Sequence, residues 1–279
     1  MQVNETYFKF TFVVEPERSE IFIAELAEMG FDSFEEQEVQ LLAYCPKAVF
    51  NEEFFEEFLQ KYSISSETFL KEEVGWQNWN QLWESNYDPV VLIDKIYIHA
   101  HFHPKKDYLY SIQVTPKMSF GTGHHSTTSL MMEMMIEQDF KNKKVLDAGT
   151  GTGILAIFAE MLGAKQVFAY DIDDWPVENA IENIELNNCT NIEVKKGVIH
   201  DFGFENQFDI VLANINRNIL AAELPDYAKA MNSGSTLLLS GFYAEDIDFL
   251  LNISKNHYLS LTKYNLKNNW AVLVLNKSN

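Results

Sequence analysis

Apolar and polar positions alternate with two different periods along this chain, and the second half carries the clearer signal. Short apolar runs at Lys144–Asp147, Val167–Asp171, Ile192–Lys195, Phe208–Asn214 and Thr236–Gly241 predict strands. Between them, segments near 154–163, 176–187, 217–231 and 245–254 repeat their apolar residues at helical spacing. Strands separated by helices predict a parallel, doubly wound α/β sheet. Leu259–Leu266, a Lys267-Asn268-Asn269 turn and Trp270–Asn276 then read as an antiparallel hairpin. The first 75 residues are built differently. Tyr7–Val14 alternates as a strand, Ser19–Met29 is an amphipathic helix stopped by Gly30, and Val39–Tyr44 is a second strand. Asn51 caps a helix over Glu52–Lys61 whose Phe54, Phe55, Phe58 and Leu59 form an apolar face, and Thr68–Val74 is a third strand. This order predicts a small α+β, ferredoxin-like domain over residues 1–75. Trp76, Trp79 and Trp83 follow at helical spacing, with Tyr87 beyond, and mark 76–87 as a linker helix. Its rings either bury it against a domain or form a recognition face. Strands at Val90–Ile93, Ile96–His101 and Tyr108–Val114 open a second domain over 88–279.

The chemistry concentrates where strands end. Val145-Leu-Asp-Ala-Gly-Thr-Gly-Thr-Gly153 runs from an apolar strand through three glycines into an apolar helix. Glycine lets a ligand lie against the backbone, and the N–H groups of the next helix point at the same spot. The spacing Asp-x-Gly-x-Gly-x-Gly departs from the Gly-x-Gly-x-x-Gly of dinucleotide binding. Asp171 stands at the tip of the next strand, about 20 residues past the glycines, where an acid accepts ribose hydroxyls. Asp173 and Asp174 either join it or cap the following helix. Asn214 ends the fourth strand and is placed to face the same crevice, where its amide can orient an amine or the cofactor's amino-acid end. The stretch Met118-Ser-Phe-Gly-Thr-Gly-His-His-Ser-Thr-Thr-Ser129 reads as a ligand-closing loop before a helix over Leu130–Glu137, with Ser126 or Thr127 as cap. His124 and His125 within it are candidate proton acceptors. His99, His101 and His103 would share one face of a regular strand, but no acid or cysteine nearby completes a metal shell and Pro104 breaks the strand. A solvent-facing strand is expected there, and no metal site is assigned.

Composition narrows the partners. The formal charge of −20, from 21 basic and 41 acidic residues, disfavours a protein that grips nucleic acid by its phosphates. Residues 1–80 hold 17 acids and five bases, a net of −12, so a basic protein partner suits this end. No apolar run reaches the roughly 18 residues of a membrane span, the first residues lack the plan of a signal peptide, and two cysteines make no disulfide framework. A cytoplasmic location is expected.

Taken in order, the loop FGTGHHSTTS, the motif VLDAGTGTGILAIFAEMLGA, the acidic strand end YDID and the element VLANI resemble the ribosomal protein L-eleven methyltransferase family (PrmA), within the class I S-adenosylmethionine-dependent methyltransferases. The resemblance implies a Rossmann-like methyltransferase domain, S-adenosyl-L-methionine as cofactor, and Thr128, Gly149, Asp171 and Asn214 as cofactor-binding residues. It further implies methylation of lysine ε-amines, and of the N-terminal α-amine, on ribosomal protein L-eleven as partner. The Asn-Ile-Asn-Arg at 214–217 departs from the Asn-Pro-Pro-Tyr of many amine methyltransferases, so the acceptor geometry of those enzymes does not transfer. Other readings are a small-molecule or other protein N-methyltransferase of the same fold, a dehydrogenase using Asp171, and a nucleoside-binding scaffold without turnover. The glycine spacing opposes the dehydrogenase, and the added N-terminal module favours a macromolecular substrate.

Overall fold

Seven strands in the second half of the chain set the position of the site. A computed structural model describes residues 6–14, 16–37, 40–62, 64–65, 69–75, 88–115 and 123–278, and the chain divides into the units Met1–Tyr87 and Asp88–Asn279. The tryptophan segment 76–87 and residues 116–122 of the glycine–histidine loop lie outside the described residues.

The first unit runs β1 (Thr6–Val13), α1 (Pro16–Glu28), β2 (Ser33–Gln37), β3 (Gln40–Pro46), α2 (Glu52–Lys61), β4 (Phe69–Gly75). Its sheet has the order β2-β3-β1-β4, with every neighbouring pair antiparallel. Phe10, Phe12, Phe22, Phe55 and Phe58 fill the space under it, with Phe10 and Phe55 ring centroids 4.5 Å apart. Asn51 caps α2 through its side-chain oxygen, which accepts from the N–H groups of Glu53 and Phe54. Phe55 and Phe58 face inward, whereas Phe54 is exposed. Strand β2 is an addition to the pattern read from the sequence. Ser33-Phe-Glu-Glu-Gln is mostly polar because it forms an edge of the sheet, so its alternation is weak.

The second unit opens with a three-stranded sheet, β5 (Val90–Leu92), β6 (Ile96–His99) and β7 (Tyr110–Gln113), in which β6 pairs antiparallel with β5 and parallel with β7. Here the histidine reading is corrected. Strand β6 ends at His99, so the three histidines share no strand face. His99 is buried, 5% exposed, with one ring nitrogen 2.9 Å from the Ala100 carbonyl oxygen and the other 3.1 Å from the Ser111 hydroxyl. His103 accepts the Ala100 N–H, and only His101 is open to solvent.

Next come α3 (Ser126–Met135), β8 (Lys144–Ala148), α4 (Ile154–Met161), β9 (Gln166–Asp171), α5 (Asp174–Leu186), β10 (Ile192–Lys196), β11 (Phe208–Asn214), α6 (Arg217–Ala230), β12 (Met231–Tyr243), α7 (Ile247–Lys255), β13 (Leu259–Lys267) and β14 (Trp270–Lys277). The sheet order is β10-β9-β8-β11-β12-β14-β13. The first five are parallel, while β14 runs antiparallel to both β12 and β13. The chain steps outward from β8 to β10, then returns to place β11 against the other side of β8. That reversal opens a crevice at the carboxyl ends of β8 and β11. Two apolar layers cover the sheet, one including Phe158, Ile157 and Met131, the other Leu220, Leu224 and Tyr227.

Candidate functional site

The glycine turn between β8 and α4 starts the site. Gly149 has φ +66°, a left-handed conformation that favours glycine, and a Cβ there would stand 2.3 Å from Cγ2 of Ile215. The turn is tied down on both sides. The Thr150 N–H donates to the Tyr170 carbonyl at 2.9 Å and the Thr150 hydroxyl donates to Asp147 at 2.6 Å. Asp147 is buried, and burial raises its carboxyl pKa to about 7, against the lowering effect of the Thr150 hydroxyl. This acid supports the turn from beneath and is absent from the cavity wall.

Asp171 ends β9 beside that turn. Its Oδ2 accepts the Gly151 N–H at 3.0 Å, so the acid and the glycine turn position each other directly. Both line a cavity of about 910 Å³, together with Gly149, Asn214, His125 and Trp270. Asp173 and Asp174 also reach its wall. Asp173 occupies the N-cap position of α5 without a side-chain cap bond, and Asp174 pairs with Lys196 at 2.6 Å.

Asn214 closes the opposite side. Its Nδ2 donates weakly to the Thr128 hydroxyl at 3.5 Å, and its Oδ1 is buried with no partner among the described residues. A buried amide oxygen without a donor costs roughly 1–3 kcal/mol, and this one belongs to a residue that lines the cavity. Thr128 is fully buried and lies outside the cavity lining; it touches the site through Asn214.

The two histidines part company. His124 is exposed, its Nε2 is 2.8 Å from the Asp88 carbonyl oxygen, and it does not line the cavity. His125 does, and it, rather than Ser126 or Thr127, caps α3: its Nδ1 accepts the Thr127 N–H. Burial lowers its pKa, which keeps the ring neutral and fit to accept that bond. Its ring meets Trp270 edge-on at 4.7 Å, and Trp270 in turn packs on Tyr243 at 4.2 Å.

Several wall residues escaped the sequence reading: Trp175, Val198, Ile219, Glu223 and Trp270. Trp175 offered one signal, a large aromatic side chain close behind three acids. The rest arrive from α6, β14 and the turn after β10, and only the strand order brings them here.

Comparison with known proteins identifies the family of the chain. The family model described as ribosomal protein L11 methyltransferase (PrmA) matches residues 12–278. A ribosomal protein L11 methyltransferase of Bacteroides fragilis is 41% identical over 278 residues, covering 96% of this chain and 98% of the relative. One of Porphyromonas gingivalis is 41% identical over 265 residues, covering 91% and 89%. The crystal structure of the ribosomal protein L11 methylase of Lactobacillus delbrueckii subsp. bulgaricus superposes with a TM-score of 0.64 at 27% identity, covering 69% of this chain and 99% of that one.

Proposed function

The chain belongs to the ribosomal protein L11 methyltransferase family, and on that premise we propose how its residues methylate amino groups of ribosomal protein L11. The methyl donor is S-adenosylmethionine, which supplies a methyl group on a sulfonium centre already activated for transfer to a nitrogen lone pair. The observation that carries the site assignment is the shared cavity. The glycine turn, Asp171 and Asn214 line one space large enough for a nucleoside bearing an amino acid. Asp171 accepts the ribose hydroxyls, Gly149 lets the ligand approach the backbone, and Thr128 holds the Asn214 amide in place from behind.

The acceptors are lysine ε-amines and the N-terminal α-amine of the substrate. A lysine with an ordinary pKa near 10.4 carries a proton at neutral pH and must lose it before its lone pair can attack. Removal from water lowers that pKa. The remaining work is to hold the neutral amine in line, which is positioning. Asn214 Oδ1 is the acceptor suited to that task. His125 has other work: its Nδ1 lone pair is engaged by the α3 N-terminus, so it shapes the wall and takes no proton. The deprotonated amine is thus selected by burial, with neither His124 nor His125 acting as its base.

The first unit recognises the protein substrate. Its β-α-β-β-α-β order and antiparallel sheet support the ferredoxin-like reading, and its acidic surface suits a basic partner. Both cysteines are free, which fits the reducing cytoplasm where ribosomal proteins are handled.

Purified L11 incubated with this protein and S-adenosylmethionine should gain mass in whole methyl increments. Peptide mapping should place them on lysine side chains and the N-terminal amine. An unchanged mass with a folded enzyme and intact cofactor would overturn the assignment.

A further inference from the structure

We propose that Glu223 reads the exocyclic amine of the cofactor's adenine and so sets the base specificity of the pocket, an inference that rests on the assignment of the pocket to S-adenosylmethionine. Glu223 sits on α6, and Ile219, one turn earlier on the same face, lines the cavity with it. Two buried hydroxyls orient its carboxylate. The Tyr170 hydroxyl donates to Oε2 at 3.0 Å, and the Tyr227 hydroxyl donates to the same oxygen. Burial holds both phenols well above their usual pKa, so both remain donors. Oε1 is left with no donor among the described residues, on a side chain that borders the cavity.

Sheet order says which part of a ligand meets it. The reacting end belongs at Gly149 and Asn214, on the neighbouring strands β8 and β11. Asp171 ends β9, the next strand outward, and holds the ribose in the reading above. The base therefore extends further the same way, toward the end of β10, where Gly197 and Val198 line the cavity. Val198 and Ile219 supply apolar walls for a planar ring, and neither can accept a proton. An adenine buried there brings an amine that needs an acceptor. Glu223 is a carboxylate in this part of the wall, already oriented, with one oxygen to offer. A lysine from the substrate is the weaker match, because its nitrogen must reach the reacting end by Asn214.

The test compares S-adenosylhomocysteine with its analogue carrying unsubstituted purine, which lacks only the amine. Both are titrated by calorimetry into the full-length protein and into Glu223→Gln. The glutamine keeps an oxygen for the tyrosines and turns its NH₂ to the cavity, where it cannot accept. Wild type should bind the adenine ligand about ten- to a hundredfold more tightly than the purine analogue, as expected for a bond to a charged acceptor. In Glu223→Gln that preference should collapse to within about threefold, chiefly by weaker binding of the adenine ligand. If Glu223→Gln fails to melt cooperatively, Glu223→Asp, which keeps the charge but withdraws it, should show the same collapse. An equal preference in wild type and variant, or none in wild type, overturns the proposal and leaves the cofactor assignment standing. Binding of neither ligand by wild type overturns the cofactor assignment itself.

Discussion

At the scale of single residues, two aspartates on adjacent strands do opposite work. Asp171 faces the cavity, and Asp171→Ala should weaken S-adenosylmethionine about ten- to a hundredfold by calorimetry, since a charged acceptor is lost. The same change frees the Gly151 N–H, so part of the loss will come from a looser turn. Asp147 lies beneath the turn, where its pKa is raised from 3.8 to about 7. A raised carboxyl pKa means the folded state holds its proton longer than the unfolded chain does. Stability from this group is therefore complete below pH 3.8 and falls as pH rises toward about 7. Asp147→Asn removes that dependence while keeping an acceptor for the Thr150 hydroxyl. Denaturant melts should show the variant gaining on wild type across this window, by on the order of a few kcal/mol. Asp171 and the glycines were legible in the sequence because strand, turn and acid follow one another locally. Glu223 and Trp270 were not, since neither sits in a motif and each reaches the cavity only through long-range pairing. His125 was noticed for its chemistry, yet its cap bond to Thr127 appears only once α3 is seen to begin at Ser126.

At the scale of elements, α6 carries more of the site than its sequence announces. Asn216 caps it, accepting from the Asn218 and Ile219 N–H groups at 3.1 Å each. Asn216→Ala should cost about 1 kcal/mol, a drop in Tm of roughly 2–4 °C for a unit of this size. Because the cap holds the turn between Asn214 and Ile219, cofactor affinity should fall with it, and paired melting and calorimetry can check both. The regular elements of the second unit were legible to within a few residues, because each buries one apolar face against the sheet. β12 was legible only from Thr236 to Gly241. By pattern Met231 closes the preceding helix and 232–235 fall in no element, whereas Phe208 pairs with Met231 before a register shift. β2 escaped for the reverse reason, a polar edge strand whose pattern records solvent more than core.

At the scale of the whole chain, the charge is divided between two units. The stretch from 1 to 80 carries −12 of the total −20, while the described residues that line the crevice all lie beyond Asp88. A truncated chain beginning at Asp88 should therefore keep S-adenosylmethionine affinity and lose methylation of L11. Calorimetry and intact mass, with a melt to confirm folding, would check it; full methylation by the truncated chain would remove substrate recognition from the first unit. For the complete protein, association with a basic substrate should slow as salt is raised, with the off-rate much less affected.

The contact between Gly149 and Ile215 has a consequence for how this protein can change over generations. A Cβ at 149 meets only the Cγ2 tip of Ile215, whereas a Cβ at 241 would stand 2.2 Å from the Ile215 carbonyl oxygen. One obstacle is a side chain that substitution can remove; the other is backbone that none can. Gly149→Ala should be poorly tolerated alone and partly rescued by Ile215→Ala, leaving the left-handed backbone cost of about 1 kcal/mol. Gly241→Ala should find no rescue at 215. Measured by melting, the first pair should be strongly non-additive and the second nearly additive. Drift through the glycine turn is thus conditional on what stands at 215, and drift at 241 is closed.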